Sequence, residues 1–363
     1  MLKNLKKYLP VWAAVSLIVF LLSLALYTVA VNVTPFADFL NSTVGTAVRL
    51  VLALVTSPLP FSLFELLLIL ALPLLILCVF LLVRRADNFA TRVRGIASVL
   101  AVISLICTSY IFTLGVGYRT TALSDRLGID YPSEISKEEL YSVATLVRDE
   151  VNALAGELEY EGGESVMPYS LAELSRRLSA AYSTVAERYP FFTSYPSRVK
   201  PVALSTVMSD AGITGIYGFF TGEANLNVEY PDYNLPFVSA HEMAHQRGFS
   251  RENEANFMAF LVCISSDDAY IRYSGYLNMY EYLSSAVYRA DSELYSALRA
   301  ELSDSARSDI LASRAVTLKH ADSFIGKLND RVNDTYLKLN GTEGTVSYSY
   351  IVRLAVGYYR EMP

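Results

Sequence analysis

Two of the three histidines in this chain lie four residues apart, in Val238-Ser-Ala-His241-Glu242-Met-Ala-His245-Gln-Arg-Gly248. On a helix that spacing puts both imidazoles on one face, so two ring nitrogens can reach a single cation. Glu242 is turned about 100° from His241, and its carboxylate can face water held by that cation without being a ligand. These are the parts for hydrolysis: zinc lowers the pKa of bound water toward ~7, and a carboxylate takes the proton. With so few histidines, an H-E-x-x-H pattern arises by chance on the order of once in a thousand such sequences. The bland alternative is a pair of helical histidines satisfied by core hydrogen bonds.

Catalytic zinc needs three protein ligands and an open position. Gly248 can end the first helix and Ser250 can cap a second, which begins Arg251-Glu252-Asn253-Glu254-Ala255-Asn256. Glu252 is the favoured third ligand, with Asn256 one turn on to hold a ligand in place. Glu254 points roughly 160° away from Glu252 and takes that role if the helix starts differently. An oxyanion needs a donor. The candidates are His320, Tyr350 and above all Tyr348, in a Gly344-Thr-Val-Ser-Tyr348 run that opens the last expected helix. His320 reads as a surface residue. Ala224–Glu229, a dozen residues before the histidines, is expected to be an edge strand that lines the cleft through Asn225 and Asn227. Glu223 has no assigned task.

The elements that must position these groups follow from periodicity. Ser136-Lys-Glu-Glu139 and Ser170-Leu-Ala-Glu173 are capping boxes, each followed by apolar residues at helical spacing. Gly162-Gly163 and Tyr189-Pro190 close those two units. Val202–Met208 and Ile213–Phe220 are rich in strand formers. Helices are expected over 238–247, 251–265, 268–302, 304–335 and 346–359.

Composition sets the location. Of 363 residues, 53% are hydrophobic and 18% charged, and mean hydropathy is +0.32. Part of the chain therefore belongs in lipid. Val11–Val31, Phe61–Val83 and Ile96–Val116 each reach the ~20 residues a membrane helix needs. The first is too long for a signal peptide and lacks a small-x-small cleavage site. The 34–60 link holds an apolar stretch too short to span, Ala47–Val55, and is expected to lie in the interface or to re-enter part way. Glu65 sits just inside the second span, as a carboxylate near the lipid–water boundary or as a polar contact to the outer domain.

Lys3, Lys6 and Lys7 precede the first span, and Arg84, Arg85, Arg92 and Arg94 fill the link between the second and third. Both flanks should be cytoplasmic. Three crossings then put 118–363 outside the cytoplasm. Residues 1–117 carry +5 and 118–363 carry −11; an acidic domain without a basic run argues against nucleic acid as a partner. Cys78, Cys107 and Cys263 build neither a disulfide framework nor a metal site.

His-Glu-x-x-His followed by Arg251-Glu252-x-x-Ala255-Asn256 resembles the gluzincin group of zinc metallopeptidases, several of which carry Arg-Glu-x-x-Ala-Asp; Asn256 replaces that aspartate. The longer run Gly215-Ile-Tyr-Gly-Phe-Phe-Thr-Gly-Glu-Ala-Asn-Leu-Asn227, with Pro236–Phe249 and Glu252–Phe257, resembles a family of bacterial integral membrane proteins of unknown function that carry this motif. The three spans and Ser347-Tyr348 fit the same family. The resemblance implies a bacterial source and a metallopeptidase activity, without naming a substrate.

The expectation is thus a mainly α protein: a membrane domain, 1–117, with three N-terminal transmembrane helices, and an extracytoplasmic α+β zincin-like domain, 118–363, with a small sheet and a helical C-terminal half. Zn2+ would sit on His241, His245 and Glu252, with Glu242 as general base, Tyr348 at the oxyanion, and a peptide or protein as substrate. The competing expectation is a non-catalytic sensor or assembly protein with a structural or vestigial metal. An intramembrane protease is disfavoured because Gln246, Arg247, Ser250 and Arg251 make the motif's surroundings too polar for lipid.

Overall fold

Helix dominates the chain wherever the apolar residues are continuous or recur at helical spacing, and among the described residues two small sheets form. The computed structural model describes residues 8–85, 89–344 and 350–361. It divides into two units, Met1–Thr120 with Gly218–Glu223, and Thr121–Tyr217 with Ala224–Pro363.

The first unit contains α1 (Val11–Asn32), α2 (Thr34–Thr56), α3 (Leu63–Arg85) and α4 (Phe89–Thr113). Leucine, isoleucine and valine are exposed along most of α1 and α3; a helix apolar all round has lipid as its solvent. All four helices are long and apolar enough to cross a bilayer, one more than the three apolar runs suggest. Polar residues break the α2 run in sequence but not the helix. The Arg49 side chain, 1% exposed, donates to the Asn41 side chain at 2.9 Å and to the Asn41 carbonyl at 2.8 Å. The helix takes up one π turn there, at Asn41–Gly45.

α1 and α4 run parallel. The Tyr8 ring meets Phe89, with centroids 6.4 Å apart, Ser23 Oγ lies 3.3 Å from Thr108 Oγ1, and Tyr27 lies against Gly115. α3 returns antiparallel to α4. Phe64 at its start packs on Phe220 at 5.1 Å, while Ser109 and Thr113 at the end of α4 donate to the Phe219 carbonyl at 2.7 and 3.1 Å. Glu223 has a task after all: its two carboxylate oxygens accept the Leu63 and Phe64 amides at 3.1 and 2.7 Å, capping the first turn of α3.

α2 does not run alongside this bundle. Its middle meets the last turn of α4, where Arg49 donates to the Phe112 carbonyl at 3.1 Å, and Leu52 further along packs against Gly222. Both ends also connect to the same end of the bundle, through Val33 to α1 and through residues 57–62 to α3. α2 therefore lies across the bundle end.

In the second unit, Ser136 and Ser170 accept the Glu139 and Glu173 amides, the N-caps expected of capping boxes, and open α6 (Lys137–Ala155) and α7 (Leu171–Arg188), which follow the short α5 (Leu123–Leu127). The hairpin β1 (Tyr160–Glu161) and β2 (Glu164–Ser165) turns at Gly162-Gly163. A three-stranded sheet has the order β3-β5-β4, with β3 (Val199–Pro201) parallel to β5 (Glu223–Leu226) and β4 (Gly215–Gly218) at the edge. The strand expected over Val202–Met208 is instead a turn and the short helix α8 (Ser205–Asp210), and the strand itself, β3, lies just before it. The Val202 amide still donates to the Leu226 carbonyl at 3.0 Å before the chain turns into that helix. The strand expected to be an edge is central, and it is fully buried.

Helices then return: α9 (Asn234–Gln246), α10 (Glu252–Ile264), α11 (Ala269–Ala290), α12 (Ser292–Ala300), α13 (Asp304–His320), α14 (Phe324–Leu339) and α15 (Ile351–Arg360). The two longest expected helices each split at an internal cap that periodicity does not register. Asp291 accepts the Glu293 and Leu294 amides, and Ser323 accepts the Ile325 amide. The core joins α6, α7, α9, α10, α11 and α15 through residues such as Val147, Tyr182, Met243, Phe257, Leu277 and Val356.

Candidate metal centre

α9 carries His241, Glu242 and His245, and the next helix carries Glu252. The bend between them is built by Gly248 at φ +96°, a conformation that side chains disfavour, and by the Phe249 amide, which reaches back to the Ala244 carbonyl at 3.1 Å. A buried cation fixes the end of α9: Arg247 donates to the Met243 carbonyl at 3.0 Å and the Tyr195 carbonyl at 2.7 Å, with its guanidinium 4.0 Å from the Tyr182 ring centre. Tyr182 and Tyr195 in turn donate to the Ala240 and Gln246 carbonyls.

This frame brings three ligand-type atoms together. His241 Nε2 lies 3.0 Å from His245 Nε2, and Glu252 Oε2 lies 3.3 Å from the first and 3.6 Å from the second. A tetrahedral zinc with bonds of about 2.0–2.1 Å separates its ligands by roughly 3.3 Å, so the donor set fits such an ion. His245 is held by its other nitrogen, 2.7 Å from the Phe249 carbonyl, which leaves Nε2 as the lone-pair side. His241 Nδ1 is buried and, among the described residues, has no hydrogen-bond partner. Asn256 is buried, but among the described residues no hydrogen bond ties it to the three; the Phe249 carbonyl holds a ligand instead.

Charge is concentrated here. Burial works against ionised Glu252, yet His245 and His241 hold its carboxyl far below the usual range. Burial likewise opposes the charged form of His245, but Glu252 outweighs it and pushes that imidazole up to about 9. Burial raises the Glu242 carboxyl, offset in part by the two histidines. Glu242 accepts the Tyr217 amide and lies against β4 at Gly215, where a Cβ would sit 2.6 Å from its Oε1. The strand beside the histidine helix is therefore edge strand β4. Asn225 and Asn227 face inward and donate to the Ile216 and Ile213 carbonyls at 3.1 and 2.9 Å; their amides hold the sheet together and do not line a cleft.

Glu254 is committed elsewhere: its Oε1 accepts the Leu123 amide at 2.9 Å and Arg251 at 2.7 Å. Tyr348 lies outside the described residues. Tyr350 donates to Glu343. His320, expected at the surface, is half-buried there by its ion pairs. Its side chain is 7% exposed, with Nδ1 2.7 Å from Asp210 and Nε2 3.1 Å from Glu229, apart from the metal-ligand cluster. One phenol that the sequence does not single out, Tyr282 on α11, lies within electrostatic reach of Glu252. Burial and the nearby Glu252 charge keep it protonated. Nothing in the local pattern of a tyrosine-rich helix marks it out.

A family profile described as a protein of unknown function, DUF3810, matches residues 42–356. No curated protein and no solved structure matches the chain.

Proposed function

We propose that this chain, which belongs to the DUF3810 family by a match over most of its length, is a membrane-anchored zinc-dependent hydrolase, acting on peptide bonds outside the cytoplasm. The observation that carries the reading is the convergence of His241, His245 and Glu252 within 4.8 Å of one another, with Glu242 buried beside them. Three converging groups among the described residues leave room for a fourth, exchangeable position, which favours catalysis over a closed structural site.

Zinc held there supplies a Lewis-acid centre that acidifies water and polarises a carbonyl. Glu242 accepts a proton from the attacking water and returns it to the leaving amine nitrogen. Gly215 and the Tyr217 amide keep that carboxylate in place. β4 offers an extended edge beside Glu242 on which substrate backbone can pair. Tyr282, which the Glu252 charge reaches, is the phenol we assign to the developing oxyanion.

Sidedness follows from the first unit. Parallel α1 and α4 put Tyr8 and Phe89, which adjoin the two basic flanks in sequence, at one end, and Thr120 leaves at the other. The basic end is cytoplasmic. Because α2 lies across the bundle end, three helices cross and the second unit is extracytoplasmic.

The test is zinc stoichiometry and peptide turnover on the purified full chain. Glu252→Ala should lose the metal, and Glu254→Ala should keep it. Glu242→Ala should bind zinc normally yet cut turnover by about 10³-fold or more. Unchanged turnover in Glu242→Ala, or full zinc occupancy in Glu252→Ala, sinks the assignment.

A further inference from the structure

α14 is amphipathic with its polar stripe turned inward. The face toward the rest of the unit carries Gly326, Asn329, Asn333 and Leu337, of which Leu337 is the buried hydrophobic residue. Asn329 donates to the Ala211 carbonyl at 3.0 Å, and Gly326 packs against the Asp210 carbonyl. The outward side carries Phe324 at 78% exposure, Ile325 at 43%, Leu328 at 52%, Val332 at 58% and Leu339 at 78%. Helices of water-soluble domains bury such a stripe.

At about 100° per residue, the five apolar side chains fall within an arc of roughly 100°. Lys327, Arg331 and Lys338 fall side by side along one border of that arc, about 20–60° beyond its edge. All three are exposed; Lys338 lies 2.6 Å from Asp334 and Lys327 3.9 Å from Asp322, solvent-exposed pairs that are worth little against a phosphate surface. An apolar face edged by long basic side chains is the form of a helix lying in a membrane interface, with apolar residues at the acyl boundary and cations reaching phosphates.

We propose that the outward face of α14 docks on the surface of a bilayer containing anionic phospholipid, as a second, peripheral membrane contact separate from the spanning helices. Charge complementarity favours this occupant: the second unit is acidic overall, at −11 over 118–363, yet cations line this stripe. The apolar helices of the first unit also fix the chain at a membrane, so binding a lipid surface carries little further entropic cost.

The test uses the full chain in vesicles of mixed zwitterionic and anionic phospholipid, with Cys78, Cys107 and Cys263 replaced by alanine. An environment-sensitive fluorophore is placed by Leu328→Cys on the apolar face or by Asp330→Cys on the same helix outside it. The label at 328 should be quenched by spin-labelled lipid at least about threefold more than the label at 330, and by aqueous iodide correspondingly less. Adding Lys327→Glu and Arg331→Glu should remove most of that difference. Equal iodide access at both sites overturns the proposal. So does lipid quenching indifferent to the charge reversals, or efficient 328–328 disulfide cross-linking between chains, which assigns the face to a second copy.

Discussion

His320 bridges two carboxylates, Asp210 through Nδ1 and Glu229 through Nε2. An imidazole can donate from both nitrogens only when protonated, and hydrogen bonds to Asp210 and then Glu229 raise its pKa. Lys319 also reaches Glu229, at 2.6 Å. The sign follows from linkage: stability from this clasp is fully present below the unfolded imidazole's ~6.5 and is lost as pH rises through the higher folded value. His320→Gln should therefore lower the thermal midpoint at mildly acidic pH, with the two proteins converging at alkaline pH. A gap that is flat with pH would refute the charged bridge. At the same scale, Glu252 and Glu254 show the reach of sequence reasoning. Helix geometry puts them on opposite sides, but only the fold shows Glu254 taken up by Leu123 and Arg251.

Between residues and fold stand the elements, and here short-range signals read well. Both serine N-caps form, the glycine pair turns a hairpin, and H-E-x-x-H lies on a helix that ends just before Gly248. Elements whose identity depends on a distant neighbour read poorly. β5 has a strand-like sequence, but whether it is central or an edge is set by β3 and β4 on either side. The long C-terminal helices keep their periodicity across Asp291 and Ser323 while the chain turns there. The edge strand gives a direct test. Gly215→Ala places a Cβ 2.6 Å from Glu242 Oε1 and 2.7 Å from Val238, so the carboxylate must move. Turnover should fall by about a hundredfold with zinc content unchanged. Undiminished turnover would show that Glu242 need not stand against β4.

For the whole molecule, the decisive question is how many helices cross the membrane. Hydropathy and length admit four, which would return the second unit to the cytoplasmic side. The packing of α2 against the last turn of α4 and against Gly222 supports three. Reporter fusions after Val33, Thr56 and Thr120 should all read external, and one after Arg84 should read cytoplasmic. Val33 and Thr56 on opposite sides would restore the fourth crossing and reverse the placement of the metal centre.

Sequence alone determined what depends on a few neighbouring residues: the paired imidazoles one turn apart with a carboxylate between them, the apolar runs, the basic flanks and the helix caps. These follow from local geometry and solvation, which a short window of chain carries in full. Tertiary structure decided which glutamate stands beside the histidines, which strand stands beside Glu242, where α2 lies and which face of α14 is left outward. Each of these is a contact between residues far apart in the chain, chosen by how the buried surfaces fit together, and no local period encodes that choice.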